Sequence, residues 1–451
     1  MKKTLYLVSL GCAKNLVDSE VMLAALERDG YTVVAEPQQA DLLLVNTCGF
    51  IRPAVEEAID TLLELARYKT DAPGVQLVAT GCMVQRYGAD LATELPEVDL
   101  FVGLDDFPEI AGLLRAGSQE HRVVTRPGPA AYLMDRTAPR RLSTPSHRSY
   151  LKITEGCDNR CAYCMIPAIR GRLRSRTVED LVAEAQSLEA CGVRELSLIA
   201  QDLTAYGNDF GRKDALVVLL AHLLEHTAIP WFRLLYLYPS SVSDALLALM
   251  ASEPRILPYL DIPLQHVSDR MLRRMHRHYG RATLDALVSR IRRFLPDCAL
   301  RTTMLVGFPG ETEEDVDQMV DALRCWQFDH VGVFPYADEE GSAAYEFSGK
   351  VGEEEKEARY RRVMEAQAEI SRKRLGRFVG RTEQVLIEGV SAESDLLLEG
   401  RTRSQAPDID GCVLITAGQV NPGDIVPVHI TEAHVYDLVG EVVGGEEGLA
   451  T

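Results

Sequence analysis

The stretch Glu155–Gly171, EGCDNRCAYCMIPAIRG, places Cys157, Cys161 and Cys164 within eight residues. The spacing is C-x3-C-x2-C. A structural zinc site wants four ligands, and no fourth Cys or His lies nearby in the chain. A cubane iron–sulfur cluster takes one thiolate per iron, so three thiolates leave one iron open. An open iron can bind a small molecule through amino and carboxylate groups, which makes the loop a substrate site rather than a structural clip. Three inert structural cysteines are the plain alternative, but the loop is polar and the spacing tight.

What surrounds the loop sets the fold. From 147 to 378, strand-like segments alternate with helical ones: YLKIT, RELSLIA, FRLLYLY, YLDIPL, LRTTMLVGF and HVGVFPY, separated by patterns such as TVEDLVAEAQSLEACG and TEEDVDQMVDALRCW. Six βα units predict an incomplete (βα)6 TIM-like barrel in place of the usual eight. The cysteine loop follows the first of these strands, at the C-terminal mouth where such folds carry chemistry. A charged helical stretch, EEEKEARYRRVMEAQAEISRKRLGRF, closes the block.

Upstream, residues 1–125 read as a parallel α/β domain. TLYLVSLG, DLLLVNTC and VQLVATGC are near-continuous apolar strands, each leading into a helical pattern, as in a sheet covered on both faces. Pro53 stands near the start of the second helix, where a missing N–H costs little. Cys12, Cys48 and Cys82 each follow one of these strands. Ligand sites of open parallel sheets lie outside the carboxyl ends of the strands. If the strands are neighbours, three thiolates converge, and Gly11, Gly49 and Gly81 let the backbones approach. This predicts a second three-cysteine cluster with an open iron. A single buried cysteine at a strand end is ordinary; three at equivalent positions favour convergence. Cys191, Cys298, Cys325 and Cys412 show no metal spacing.

Residues 126–146 hold four prolines and no periodicity, which predicts a linker. From 379 to 445, EQVLIEG, DLLLEGR, CVLIT, DIVPVHI and VYDLVGEVV predict a small five-stranded β-barrel.

Composition narrows the function classes. A chain of 451 residues suggests two to four domains. Ten cysteines are too sparse for a disulfide scaffold, so the clustered ones bind metal or do chemistry. A net charge of −19 argues against a general nucleic-acid binder. The longest apolar segment, ALVVLLAHLLEH, is interrupted by His222 and Glu225 and is too short to span a membrane. The N-terminus reads as a buried strand rather than a signal peptide, so a cytoplasmic location is expected.

GCDNRCAYC, with the aromatic Tyr163 before its last cysteine, resembles the cluster loop of the radical S-adenosylmethionine (radical SAM) superfamily. The three-block arrangement resembles the methylthiotransferases of that superfamily, which join an N-terminal cluster domain, a radical SAM barrel and a C-terminal TRAM domain. The resemblance implies two 4Fe-4S clusters and SAM as cofactors. Cys157, Cys161 and Cys164 would hold the SAM-binding, radical-forming cluster. Cys12, Cys48 and Cys82 would hold the sulfur-donor cluster, with one SAM as methyl donor and a second as radical source. No side chain need act as a general base. Candidate SAM contacts at strand ends are Gln201 in LIAQD, the end of LYLYPSS, Gln265 and His266 in DIPLQH, and the GFPGET turn from Gly307.

Several stretches resemble the branch that modifies an aspartate β-carbon in ribosomal protein S-twelve: GCAKNLVDSE, NTCGFI, YLDIPLQHVSDRMLRRMHR and SQAPDIDG. Ala13 stands where that branch has proline, and Asn159 and Met165 are unusual for it. The implied partners are ribosomal protein S-twelve or the small ribosomal subunit, an electron donor and a sulfur source. The alternative within the family is a tRNA adenosine methylthiotransferase. From Val379 onward there are three Arg, no Lys and thirteen acids, a balance hostile to tRNA phosphates and suited to a basic protein. A third reading, from another class, is a non-catalytic ribosome-binding module with structural zinc. The Arg-rich stretches DRMLRRMHRHYGR, SRIRRF and RGRLRSR read mainly as solvated faces paired with acids.

Overall fold

Six parallel strands form the first sheet, in the order β2-β1-β3-β4-β5-β6. They are β1 (Lys3–Ser9), β2 (Tyr31–Val33), β3 (Leu42–Thr47), β4 (Gln76–Gly81), β5 (Leu100–Val102) and β6 (Arg122–Val124). The computed structural model describes residues 3–72, 74–116, 122–391 and 394–444. Every residue of β3 is buried, because its alternate side chains enter two cores. Leu42 and Leu44 pack with Val17 and Val21 of α1 (Ala13–Arg28). Leu43 and Val45 pack with Ala58, Leu62 and Leu65 of α2 (Arg52–Asp71). Strands β2, β5 and β6 have three residues each, too few to show a period in sequence.

The second sheet is also six-stranded and parallel, with its strands side by side in chain order. It comprises β7 (Arg148–Lys152), β10 (Glu195–Ile199), β11 (Trp231–Leu234), β12 (Ile256–Asp261), β13 (Ala299–Val306) and β14 (His330–Pro335). The short antiparallel pair β8 (Thr154–Glu155) and β9 (Arg174–Ser175) brackets the cysteine loop. Outward-facing leucines pack under the helices. The segment ALVVLLAHLLEH is one of these, the helix Ala215–His226, with Leu219, Leu220 and Leu223 buried. No helix among the described residues is long and apolar enough to cross a membrane.

The inner face of this open barrel is covered from both sides. One apolar cluster joins its Tyr150, Ile199, Trp231, Leu257 and Tyr259 to Val17 and Val21 of α1 and to Leu386 and Ala406 near the C-terminus. The buried polar side of α1 also turns this way: Asp18 pairs with Lys152 of β7, and Glu20 takes Arg140 at 2.6 Å. The stretch 126–146 has no regular element, yet it is no slack tether. Arg140 donates to the Tyr150 carbonyl (2.9 Å), Ser143 N to Glu20 (2.9 Å), and Ala130 and Met134 are buried.

Strands β15 (Thr382–Val390), β16 (Leu398–Thr402), β17 (Val413–Ala417), β18 (Ile425–Ala433) and β19 (Leu438–Val442) close a barrel in the order β15-β16-β17-β19-β18. Its SQAPDIDG loop reaches the second sheet. Asp408 accepts two hydrogen bonds from Arg148, both 2.9 Å, and Asp410 accepts from Tyr259 (2.7 Å). Glu388 binds His147 and Arg148, and Arg401 joins it to Glu195. Part of the acidity counted in this barrel is therefore an internal clamp rather than an open surface.

Candidate active site: two cysteine triads at facing sheet ends

Strands β1, β3 and β4 are adjacent, with Ser9 level with Asn46 and Thr47 level with Gly81. Neighbouring strands lie about 4.8 Å apart, so the loops carrying Cys12, Cys48 and Cys82 leave three adjoining strand ends. They touch. A Cβ on Gly11 (φ +90°) would sit 2.9 Å from Cys48 Cβ, and one on Gly49 would sit 2.7 Å from the Cys82 carbonyl carbon. Only glycine fits either place.

Asn15 ties the three loops together. Its Nδ2 donates to the carbonyls of Leu10 (3.1 Å) and Thr47 (3.0 Å), each just ahead of a cysteine loop, and its Oδ1 accepts from the Cys82 thiol at 3.5 Å. Burial pushes the Cys82 thiol up to about 12, and pushes Cys48 up as well. Burial also opposes ionisation of Cys12, but Lys14, Arg170 and the first N–H groups of α1 outweigh it and hold Cys12 below the usual thiol range.

The second triad sits in the loop after β8. Cys157 N donates to the Gly171 carbonyl (3.1 Å), Cys164 N to that of Cys161 (3.1 Å), and Ala162 N to that of Met275 (3.0 Å). Gly156, at φ +72°, presses on the Gly171 carbonyl, 2.5 Å from where a Cβ would stand. Arg277 Nη1 lies 3.4 Å from Cys161 Sγ, with its guanidinium over the Tyr238 and Tyr279 rings at 4.3 and 5.0 Å. Burial raises the Cys157 thiol to about 11 and Cys164 further. Such thiols are poor nucleophiles as they stand; a metal displaces their protons.

Each site offers three thiolates, one short of a structural zinc site and suited to a cubane cluster with one iron left open.

Arg170 connects the two sites. It lies six residues beyond Cys164 and is 3% exposed. Its Nη2 donates to Asn15 Oδ1 (2.6 Å) and Asp18 Oδ2 (2.9 Å), and its Nη1 to Glu155 Oε2 (3.0 Å). Lys152 pairs with the same two carboxylates. Burial would raise Glu155, but Lys152 and Arg170 hold it down to about 2.

The candidate SAM contacts separate on inspection. Gln201 follows β10, and both polar atoms of its amide are buried without a partner. That is the signature of a side chain awaiting a polar ligand. Beside it, Asp202 accepts from Asn159 of the cysteine loop at 2.7 Å. Gln265 takes φ +69°, and its backbone joins β13 through Thr303 and Leu305. His266 is fully buried with both ring nitrogens engaged: Nδ1 accepts from Val267 N (2.8 Å) and Ser268 N (3.0 Å), and Nε2 faces Glu311 at 3.2 Å. It braces the turn that begins at Gly307, whose N–H also binds Glu311 (2.6 Å). We expect Gln201→Ala to weaken SAM binding roughly 5- to 100-fold, the weight of one to two buried hydrogen bonds. Equilibrium titration of the reconstituted protein checks this, and an unchanged affinity would remove Gln201 from the SAM site.

The arginine-rich stretches divide: Arg172, Arg270, Arg273 and Arg293 are exposed, and Arg172, Arg270, Arg281 and Arg290 pair with acids as expected, whereas Arg170, Arg176 and Arg277 are buried. Arg274 donates to the carbonyls of Pro309 and Ser348, Arg176 is buried on Asp180 and Glu184, and Arg277 abuts Cys161. Arg172 alone in RGRLRSR is largely exposed. Asn15, Arg170 and Arg277 were not singled out from sequence. Asn15 and Arg170 do lie inside the two motifs that were.

Comparison with known proteins agrees with this layout. Residues 4–103 match the model of an uncharacterised protein family, UPF0004; residues 151–323 match the radical SAM superfamily, and 379–443 the TRAM domain. The chain is 55% identical over 444 residues to the ribosomal protein uS12 methylthiotransferase RimO of Desulfotalea psychrophila, covering 98% of this chain and 99% of that one. It is 47% identical over 442 residues to the protein of that name from Geobacter sulfurreducens, with 98% and 99% covered. Among solved structures, the radical SAM methyltransferase TsrM from Kitasatospora setae superposes with a TM-score of 0.54 at 18% identity, covering 74% of this chain and 73% of that one. That likeness is one of fold.

Proposed function

We infer the reaction from lineage and geometry together: this chain belongs to the family of ribosomal protein uS12 methylthiotransferases, within the radical SAM superfamily. It adds a methylthio group to the β-carbon of an aspartate of uS12, the S-twelve protein of the small subunit. SAM serves as radical source and, in a second molecule, as methyl donor.

The observation that carries this reading is the pair of three-cysteine sites at the ends of two parallel sheets, bridged by Arg170 and Asn15. Cys157, Cys161 and Cys164 would hold the cluster that, with SAM on its open iron, supplies a 5′-deoxyadenosyl radical. Cys12, Cys48 and Cys82 would hold a second cluster bearing the sulfur to be transferred. An unactivated C–H bond yields to a radical and not to an acid–base pair, which accounts for the lack of a candidate general base. Gln201 would fix SAM, Tyr163 and Arg277 would shield and counter the charge of the radical-forming site, and His266 would position the Gly307 turn. An electron donor and a sulfur source complete the balance.

The C-terminal barrel fits a protein partner. Arg401 is buried on Glu195 and Glu388, and Arg403 donates to the Pro254 carbonyl. Only Arg381 of its three arginines is exposed, too little for a phosphate-binding face. The test is mass spectrometry of uS12 after anaerobic incubation with reconstituted enzyme, SAM and reductant. A methylthio increment on one aspartate is the expected result. SAM cleavage with unmodified uS12 would redirect the reading to tRNA or the intact subunit.

A further inference from the structure

Nine Lys and Arg residues are buried among the described residues. Eight donate to an oxygen or sulfur of the protein. Lys14 is the ninth. It is 8% exposed and has neither ion pair nor side-chain hydrogen bond among the described residues. Its Nζ stands 3.6 Å from the centroid of the Tyr236 ring. Tyr236 lies just beyond β11 at φ +66°, with its N–H on Asp261 Oδ2 (3.2 Å).

The charged groups around the ammonium are Cys12, Arg170, Asp261 and Glu155. Both carboxylates are already matched: Asp261 binds Arg301 Nη1 at 3.0 Å, and Glu155 is held by Arg170 and Lys152. A desolvated ammonium lacking an anion is costly, and an aromatic face compensates only in part. Lys14 is also the second residue of the sixteen-residue helix α1, whose N-terminal end favours negative charge.

We propose that Lys14 binds the side-chain carboxylate of the acidic residue being modified and is the specificity determinant for it. The proposal rests on the reaction inferred above. In an aspartate, the β-carbon adjoins the carboxyl carbon, so an ammonium that grips the carboxylate places the reacting C–H within a bond or two of a fixed point. Lys14 stands two residues beyond Cys12 and has it among its charged neighbours, which sets the ammonium beside the sulfur-donor triad.

The test is equilibrium binding of uS12 to the reconstituted enzyme without reductant. Two forms of uS12 are used, one with the target aspartate and one with asparagine in its place. The wild-type enzyme is expected to prefer the aspartate form roughly 30-fold or more, the cost of a buried charge losing its partner. Lys14→Met erases the preference, and Lys14→Arg keeps part of it. Retention of the full preference by Lys14→Met overturns the proposal. So does a rise in the Kd for SAM, or a shift in the midpoint potential of the N-terminal cluster, with the preference intact; these assign the ammonium to SAM or to Cys12. Wild-type enzyme that binds neither form removes the substrate reading itself, and this proposal with it.

Discussion

Replacing Cys157, Cys161 and Cys164 by alanine is expected to leave no measurable 5′-deoxyadenosine. Replacing Cys12, Cys48 and Cys82 is expected to leave SAM cleavage measurable and remove the methylthio product. The asymmetry follows from position. The 157–164 loop is closed by its own hydrogen bonds to Gly171 and Met275, and it lies beside Gln201 and Asp202. The other triad belongs to a separate sheet, which has a core of its own beneath α2, so its loss need not unmake the SAM site. Product analysis of both triple variants, reconstituted with iron and sulfide, decides the matter. Full methylthiolation by the Cys12, Cys48 and Cys82 variant would refute the division of labour. Alanine at these positions removes one small side chain at each site, so a fold defect should be small; circular dichroism of the apoproteins checks this.

The second large effect is expected at Arg170. Arg170→Met leaves Asp18 and Glu155 buried with Lys152 as their only cation, and takes from Asn15 the donor that fixes its amide. Breaking a buried charge set from one side costs about 3–5 kcal/mol, and here the damage falls on both sites. Thermal unfolding should register the loss. Iron content should fall at the first triad, because Asn15 holds the Leu10 and Thr47 carbonyls that aim its loops. Arg170→Lys should recover part of the stability. It cannot recover the geometry, since one ammonium does not reproduce a fork reaching Asn15, Asp18 and Glu155 together. Unchanged stability and iron content in Arg170→Met would show the bridge to be incidental.

Much of the fold was legible because it is written in local periodicity. The near-continuous apolar runs of β1, β3 and β4, and the βα alternation across residues 147–378, follow from sheets buried on both faces. The three-residue strands β2, β5 and β6 carry no period and were invisible. The stretch 126–146 was read as a linker on its prolines. Its clamp on Glu20 and Tyr150 depends on partners on other elements, which no local pattern reports. The same holds for Arg274 and Arg277, which stand among solvated arginines in the sequence and are brought instead to the carbonyls of Pro309 and Ser348 and to the thiol of Cys161.

By itself, the sequence determined which thiols are available to hold a cluster. Six cysteines beyond strand ends, with glycines beside four of them, are chemical statements that survive any packing, because thiolate number and spacing limit what metal they can hold. The tertiary structure alone decided how the two motifs are joined. Asn15 and Arg170 meet across 155 residues, Lys14 reaches Tyr236, and the inner face of the barrel is closed by a helix from one end of the chain and a loop from the other. Charge placement of this kind is set by which buried groups find partners and which do not, a property of the assembled interior and not of any segment of it.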